Sequence, residues 1–224
     1  MTLPLAVRDL LVRTERGRVL LDLPALDVAA GTRLGVRGPS GAGKSTLLFA
    51  LAGLLDGVAG RVTWGQTDVL RLSASERAAF RANHVGLIFQ DFLLFDELSP
   101  VANAELVGLF APPASRVGIA KRAAAQLAAL GVPSDARTTA SFSGGERQRV
   151  AVARALATDP SVLLADEPTA SLDRVAADRL IADLLAQSQT AGRTMIAVSH
   201  DAALLEAMDR VITVEDGRVT EAGA

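Results

Sequence analysis

Residues 38–45 read Gly38-Pro39-Ser40-Gly41-Ala42-Gly43-Lys44-Ser45. This glycine-rich segment decides the fold, because the pattern predicts a strand over residues 32–36 before it and a helix over residues 45–55 after it. The three glycines let successive backbone N–H groups point inward, where they bind phosphate together with the positive end of the helix. Lys44 is expected to neutralise phosphate charge, and the Ser45 hydroxyl is expected to ligate Mg²⁺.

A second informative segment is the acidic strand at residues 162–167, Val162-Leu163-Leu164-Ala165-Asp166-Glu167. A short apolar run predicts a buried strand, and its carboxyl end is the place where ligands bind in parallel α/β sheets. We expect Asp166 to belong to the Mg²⁺ shell and Glu167 to polarise the water that attacks a γ-phosphate. Pro168 ends the strand.

A third segment, residues 141–149, reads Ser141-Phe142-Ser143-Gly144-Gly145-Glu146-Arg147-Gln148-Arg149. Ser143 followed by two glycines and a predicted helix offers a second anion site, although an ordinary helix cap is the alternative interpretation. Two phosphate-binding devices in one chain are explained if two chains pair head-to-tail. Each chain would then lend its Ser-Gly-Gly segment to the nucleotide of the other.

In this order, the three segments resemble those of the ATP-binding cassette (ABC) ATPases, and the resemblance covers nearly the whole chain. It implies ATP and Mg²⁺ as ligands, nucleotide contacts along residues 38–46 including Thr46, and a shared site completed by Glu146 of the signature segment. It also implies that Gln90 contacts Mg²⁺ and takes part in catalysis, that Asp173 of the D-loop (residues 171–173) crosses to the facing subunit, and that His200 is the switch histidine at the γ-phosphate.

The organisation of the chain predicts an α/β protein with a largely parallel sheet, since strands alternate with helices. The first part of the chain is β-rich, and the pattern over about residues 91–140 is helical. We therefore predict a P-loop NTPase (RecA-like) core with an N-terminal antiparallel β-subdomain and an inserted helical subdomain. The predicted single cassette spans 1–224, with the core and β-subdomain at 1–90 and 141–224 and the helical insert at about 91–140.

The composition limits the class of protein. The chain has 224 residues, and half of them are hydrophobic, but no apolar run reaches the about 18 residues that a membrane span needs. The start of the sequence lacks the pattern of a signal peptide. The sequence has no cysteine, which excludes disulfides, and its net charge of −2 gives no reason to expect nucleic acid as a partner.

The chain departs from the ABC pattern where an aromatic side chain usually stacks on adenine. It has no tyrosine, its first aromatic residue is Phe49, and the matching region is Arg13-Thr14-Glu15-Arg16. We expect adenine to rest on an arginine stem or on Leu11 and Val12, with weak selectivity for the base.

The detailed motifs resemble the lipoprotein-release and macrolide-export subfamily, in which a dimer of ATPase subunits drives a separate polytopic membrane subunit. This resemblance implies a cytoplasmic protein bound peripherally to the cytoplasmic face of the inner (plasma) membrane. Residues 92–95, Phe92-Leu93-Leu94-Phe95, are equally well explained as core residues or as the lining of a groove for that subunit. The alternative function is a soluble, non-transport ABC ATPase that works with an enzyme complex such as the phosphonate-degrading lyase.

Overall fold

The structure is a computed structural model that describes residues 2–133 and 138–221. The predicted units 1–224 and about 91–140 include residues 1, 134–137 and 222–224, which lie outside the described residues. The described strands are β1 (Leu5–Arg13), β2 (Val19–Val28), β3 (Arg33–Arg37), β4 (Ala59–Trp64), β5 (Thr67–Asp68), β6 (Val85–Ile88), β7 (Val162–Asp166), β8 (Thr194–Val198), β9 (Arg210–Glu215) and β10 (Arg218–Glu221). The described helices are α1 (Lys44–Leu51), α2 (Ala74–His84), α3 (Pro100–Glu105), α4 (Pro113–Ala129), α5 (Gly144–Leu156), α6 (Arg174–Ala191) and α7 (Ala202–Glu206).

Within the described residues, ten strands form one sheet in the order β5-β4-β1-β2-β10-β9-β3-β8-β7-β6. Strands β9, β3, β8, β7 and β6 are parallel to one another, and each pairs with its neighbours in that order. Strand β1 is antiparallel to both β2 and β4, and β4 is antiparallel to β5. The arrangement confirms the predicted α/β class, with a parallel core that continues into an antiparallel part built from the start of the chain.

The burial of the strands follows from their sequences. Every residue of β7 and β8 is buried, as expected for central parallel strands that are covered by helices on both faces. Most positions of β1 alternate between buried and more exposed side chains, which is typical of a strand with one face towards solvent. The sequence therefore separates the central strands from the peripheral ones.

The helices of the predicted insert share a hydrophobic cluster with the sheet. Ile119 and Leu127 of α4 belong to the same buried cluster as Val150 of α5 and Leu163 of β7. We call this cluster the second hydrophobic cluster. The first lies mainly on β1, β2, β3 and β4 and includes the inner side of α1. Since the insert and the core share one cluster, the boundary at about 91–140 stays a prediction.

The structure corrects one part of the helical pattern over residues 91–140. Helix α3 begins only at Pro100, with Ser99 as its N-cap, and residues 91–99 contain no helix. Phe92 and Leu93 have φ angles of 57° and 49°, in the left-handed region that a right-handed helix cannot use. Across the described residues, no helix combines the length and the apolar character needed to cross a membrane.

Candidate nucleotide site

The phosphate-binding loop is placed by β3 and α1, as the sequence predicts. The loop leaves the end of β3, and α1 begins at Lys44 with Gly43 as its N-cap. The Lys44 side chain is 7% exposed, and its Nζ donates to the carbonyl oxygens of Gly38 and Pro39 at 2.8 and 3.0 Å. The ammonium therefore lies in the mouth of the loop, where phosphate charge would be neutralised.

Gly38 is required by a close approach of the backbone. Its φ angle is 151°, and a Cβ atom at this position would lie 2.0 Å from the carbonyl oxygen of Val214 in β9. A real Cβ cannot come so close to a backbone atom, so any larger residue would displace the loop or the strand. The shape of the loop thus depends on a strand from the far end of the chain.

Asp166 lies at the end of β7 and is almost completely buried. It is 5% exposed, and burial raises the pKa of its carboxyl above the usual range, although a hydrogen bond with the Ser45 side chain and the charge of Lys44 oppose this shift. Its Oδ1 is buried and has no hydrogen-bond partner in the protein. An oxygen in this state, beside the Ser45 side chain, fits a position next to a bound cation.

Glu167 follows Asp166 and turns away from the strand into a cleft. Its φ angle is 44°, and its backbone N–H donates to the carbonyl oxygen of Val198 in β8 at 2.9 Å. The carboxylate Oε1 lies 3.2 Å from Nε2 of His200, and Oε2 accepts from the His200 backbone N–H at 3.2 Å. Nε2 of His200 is also 3.1 Å from Nζ of Lys44. Three groups predicted from separate motifs therefore meet in one place.

These groups line a cleft of about 1100 Å³ at the carboxyl ends of the parallel strands. The predicted site residues that line this cleft are Ser40, Gly41, Gly43, Lys44, Ser45, Thr46, Gln90, Glu167 and His200. Gly38, Pro39 and Ala42 contribute the backbone of the loop instead, and Ala42 is 6% exposed. Leu20, Thr169, Arg174 and Asp201 also line the cleft and were not predicted from the sequence.

The signature segment lies in a different place. A second pocket of about 450 Å³, the signature pocket, is lined by Ser143, Gly144, Gly145 and Asp173. No described residue lines both this pocket and the cleft. Ser143 is the N-cap of α5 in a reciprocal capping box, since its backbone N–H donates to Glu146 Oε2 at 2.8 Å and the Glu146 N–H donates to its Oγ at 3.3 Å. The two phosphate-binding devices of the chain are therefore not brought together within one chain.

The region expected to contact the base, residues 11–16, includes one buried side chain. Val12 is 5% exposed and belongs to the hydrophobic core, so little of its side chain is open to a base. The expectation that adenine rests on an arginine stem or on Leu11 and Val12 stays a prediction. A pocket of about 250 Å³ beside Gly41 is lined instead by Arg18, Val19 and Leu20. Leu20 borders this pocket and the nucleotide cleft alike, because it lies near the start of β2. The sequence held no motif that would have identified these residues.

An apolar groove of about 390 Å³ lies between α2, α5 and the segment after β6. Of residues 92–95, only Leu93 lines it, and Leu93 is 53% exposed. Leu94 packs against the second hydrophobic cluster, whereas Phe95 is 57% exposed outside the groove. The guanidinium of Arg154 donates to the backbone carbonyls of Phe92 and Leu93. The four residues are thus divided between core and surface.

Comparisons with known proteins identify the family of the chain. A family model described as "ABC transporter" matches residues 21–170. The Fe(3+) ions import ATP-binding protein FbpC of Streptomyces coelicolor is 43% identical over 209 residues, which are 92% of this chain but only 58% of that protein. The lipoprotein-releasing system ATP-binding protein LolD of Novosphingobium aromaticivorans is 38% identical over 216 residues, which are 94% of this chain and 96% of that protein.

A solved structure extends the likeness to three dimensions. The ATP-binding cassette MJ0796, in a dimeric post-hydrolysis state bound to ADP and Pi, superposes with a TM-score of 0.86 at 27% sequence identity. The match covers 98% of this chain and 99% of that chain. The chain therefore belongs to the ABC transporter family, as an ATP-binding cassette with ATPase activity.

Proposed function

We propose that the chain binds ATP in the 1100 Å³ cleft and that Glu167 and His200 carry out its hydrolysis there. The observation that carries the proposal is the position of His200 beside the phosphate-binding loop, where its Nε2 lies 3.2 Å from Glu167 Oε1 and 3.1 Å from Lys44 Nζ. A carboxylate, an imidazole and an ammonium at this place supply a base for water, a second polar group for the γ-phosphate and a countercharge.

In the proposed reaction, the backbone N–H groups of residues 38–46 and the ammonium of Lys44 hold the β- and γ-phosphates. Lys44 exchanges its bonds with the loop carbonyls for bonds with phosphate oxygens. Glu167 accepts a proton from the attacking water, and His200 contacts the γ-phosphate oxygens. The products are ADP and inorganic phosphate.

The residues proposed to hold Mg²⁺ are Ser45, Gln90 and Asp166. The unpartnered, buried Oδ1 of Asp166 beside Ser45 supports this assignment, because Mg²⁺ prefers hard oxygen ligands and completes its octahedron with water and phosphate oxygens. The described residues contain no group of three or more His, Cys, Asp or Glu side chains that could hold a metal alone. A bound Mg²⁺ would neutralise charge that develops on the phosphates.

We further propose that two copies pair head-to-tail, so that each ATP lies between the loop of one chain and the signature segment of the other. The separation of the two pockets in one chain supports this arrangement. At the signature pocket, Ser143, Gly144 and Gly145, together with Glu146 of the capping box, would contact the γ-phosphate bound by the second chain, and Asp173 would lie at the crossing point. The dimeric form of the structurally similar MJ0796 cassette is consistent with this pairing.

The protein that the ATPase dimer drives is proposed to be a polytopic membrane subunit, which would place the chain on the cytoplasmic face of the membrane. The apolar groove that Leu93 lines offers a surface for a short amphipathic helix of that subunit. The match to LolD over 96% of its length supports a transporter of the lipoprotein-release type. ATP-driven closing and opening of the dimer would move the groove and the bound helix.

The first experiment compares wild type with Glu167→Gln. Wild type is expected to hydrolyse ATP, whereas the amide keeps ATP binding, loses the base, and accumulates as an ATP-bound dimer. Phosphate release and size-exclusion chromatography with light scattering measure these properties. Near-normal turnover by Glu167→Gln would contradict the assignment of Glu167 as the base.

A second experiment identifies the partner. Tagged Glu167→Gln with ATP is used to recover bound proteins from detergent-solubilised membranes, and Glu167→Gln combined with Lys44→Ala serves as the control that cannot hold ATP. Recovery of a polytopic membrane protein with ATP would support the transporter. Recovery of soluble enzyme subunits alone would favour the lyase-type alternative and leave the ATPase assignment in place.

A further inference from the structure

Arg174 joins two parts of the molecule that belong to different pockets. It is the first residue of α6 and directly follows Asp173, which lines the signature pocket. Its Nη1 donates to both carboxylate oxygens of Asp201, at 3.1 and 3.2 Å, and its Nη2 donates to Asp178 one turn further along α6. Both Arg174 and Asp201 line the nucleotide cleft, although no motif in the sequence pointed to either of them.

Asp201 is held by several contacts at once. It caps α7 by accepting from the Ala203 backbone N–H at 3.0 Å, and its own N–H donates to Ser199 Oγ at 3.0 Å. Partial burial raises the pKa of Asp201, but hydrogen bonds from Arg174, Ala203 and Thr169 outweigh burial and leave the pKa below its usual range. The carboxylate is therefore a fixed anchor for residues 199–201.

The position of His200 depends on this anchor, because His200 immediately precedes Asp201. The His200 ring is 57% exposed, so little side-chain packing holds it in place, yet its Nε2 lies 3.2 Å from Glu167 Oε1. A short series of contacts thus leads from Asp173 through Arg174 and Asp201 to His200 and the carboxylate of Glu167. Each step is a covalent neighbour or a hydrogen bond.

We propose that Arg174 is a positioning residue for ATP hydrolysis, which holds His200 against Glu167 through Asp201 and ties this arrangement to the segment that borders the signature pocket. The inference rests on the proposed function of Glu167 and His200. A fully exposed ion pair usually stabilises a structure very little. Here the Asp201 side chain is only 11% exposed, and Asp201 directly follows His200, which is proposed to take part in the reaction. A displacement of such a group by about 1 Å can slow a reaction by up to about 10²-fold.

The test is steady-state ATP hydrolysis by Arg174→Ala and Arg174→Lys. Arg174→Ala is expected to lower kcat about tenfold and to leave KM for ATP within about twofold of wild type, because the phosphate-binding loop is untouched. Arg174→Lys is expected to recover most of the rate, since a single nitrogen makes both bonds to Asp201 and an ammonium can replace it. The double variant Arg174→Ala/Asp201→Asn should lose no more than the slower single variant.

The control is Arg8→Ala, which removes an arginine–aspartate pair whose two side chains are both exposed, with Asp27 at 2.9 Å, away from both pockets. It should leave kcat unchanged. Thermal unfolding and ATP binding establish that each variant is folded, and Arg174→Gln replaces Arg174→Ala if the alanine variant does not fold.

Three outcomes would overturn the inference. The first is a kcat within twofold of wild type for the folded variant that lacks Arg174. The second is a kcat of Arg174→Lys as low as that of Arg174→Ala. The third is a double variant whose loss of kcat equals the combined losses of the two single variants. A wild-type chain without turnover, or turnover that survives Glu167→Gln, would instead overturn the proposed function and this inference together.

Discussion

Asp166 and Glu167 are adjacent in the chain but lie in different surroundings. Asp166 ends β7 with its carboxylate almost entirely buried beside Ser45, whereas Glu167 adopts a left-handed backbone conformation and faces the cleft. Such a conformation costs a non-glycine residue about 1–3 kcal/mol, and here a hydrogen bond to Val198 maintains it. The turn between the two carboxylates gives them separate surroundings, as their different proposed roles require, and the dipeptide alone did not reveal this turn.

The clash at Gly38 leads to a prediction for the phosphate-binding loop. Gly38→Ala would place a methyl group 2.0 Å from the Val214 carbonyl oxygen, so we expect loss of ATP binding and a lower Tm. The control is Gly17→Ala, which also has a positive φ, of 82°, but no heavy atom within 4 Å of the added Cβ, and should cost only about 1 kcal/mol. Fluorescent-nucleotide titration and thermal unfolding measure both effects. Equal behaviour of the two variants would contradict the steric argument.

The pocket beside Gly41 leads to a prediction about the base. Its lining by Arg18, Val19 and Leu20 offers aliphatic surface that any purine can contact, without a ring to stack on adenine. We therefore expect ATP and GTP to be hydrolysed with similar kcat/KM. Competition between the two nucleotides in a phosphate-release assay measures this ratio, and a strong preference for ATP would show that another group reads the base.

A helix cap can be predicted from neighbouring residues more directly than the residue at which a helix begins. Ser73 and Glu76 have the spacing of a capping box, and the structure contains this box with hydrogen bonds in both directions. The segment after β6 was wrongly predicted as helical, because its left-handed turn at Phe92 and Leu93 is accompanied by hydrogen bonds from Arg154, about sixty positions later. Long-range contacts of this kind leave no local trace in the sequence.

The groove beside this turn gives a prediction about partner binding. Leu93→Glu should abolish binding to the membrane subunit while basal ATPase activity persists, since Leu93 lines the groove and is half exposed. Phe95→Glu is the matched control, because Phe95 is similarly exposed but lies outside the groove. Co-purification and ATP hydrolysis are measured for both variants. Equal loss of binding would exclude the groove as the specific contact.

The side chain next to Leu93 would be a poor choice for the same test. Leu94 packs against the second hydrophobic cluster, so a charge at this position would be buried among apolar side chains. Leu94→Glu is expected to lower stability, and a loss of partner binding in that variant would reflect unfolding.

The contact between Arg33 and Asp209, which links β3 to the start of β9, leads to a prediction about how stability depends on pH. The Arg33 side chain at the start of β3 donates to Asp209, just before β9, and these hydrogen bonds hold the pKa of Asp209 below its usual range. Because the pKa of Asp209 is lower in the folded state, its ionised carboxylate stabilises the fold fully above the unfolded pKa of about 3.9. This stabilisation is lost as pH falls through the pKa of the folded state. Asp209→Asn should therefore flatten the decline of Tm below about pH 4, and thermal unfolding across pH 6 to 2.5 measures the difference.

At the scale of the whole molecule, the separation of the two pockets predicts complementation between two inactive variants. Lys44→Ala damages the phosphate-binding loop, and Ser143→Arg blocks the signature pocket. In a head-to-tail dimer of the two variants, one composite site has both defects and the other has none. The mixture should regain ATP hydrolysis, up to about a quarter of the wild-type rate, while each variant alone stays inactive. A mixture without activity would contradict the shared site.

The sheet topology explains why the sequence could predict that the site residues lie close together. The phosphate-binding loop, Gln90, Glu167 and His200 follow β3, β6, β7 and β8, and the carboxyl ends of parallel strands meet at one edge. Leu20 was missed because it lies on β2, which reaches this edge only through its pairing with β10. The sequence therefore predicted the parallel half of the site, and the half that depends on the β-rich part of the chain required the structure.

The contacts between the phosphate-binding loop and the last two strands have a consequence for synthesis on the ribosome. Gly38 lies against Val214, and the Gly217 N–H donates to the Ala42 carbonyl oxygen at 3.0 Å, so the loop is completed by residues that are translated long after the loop itself. Pairing between such distant positions is slow to form because a long loop must close first. A nascent chain that lacks these strands would hold an unfinished loop, and nucleotide would become a ligand only after both strands have been made.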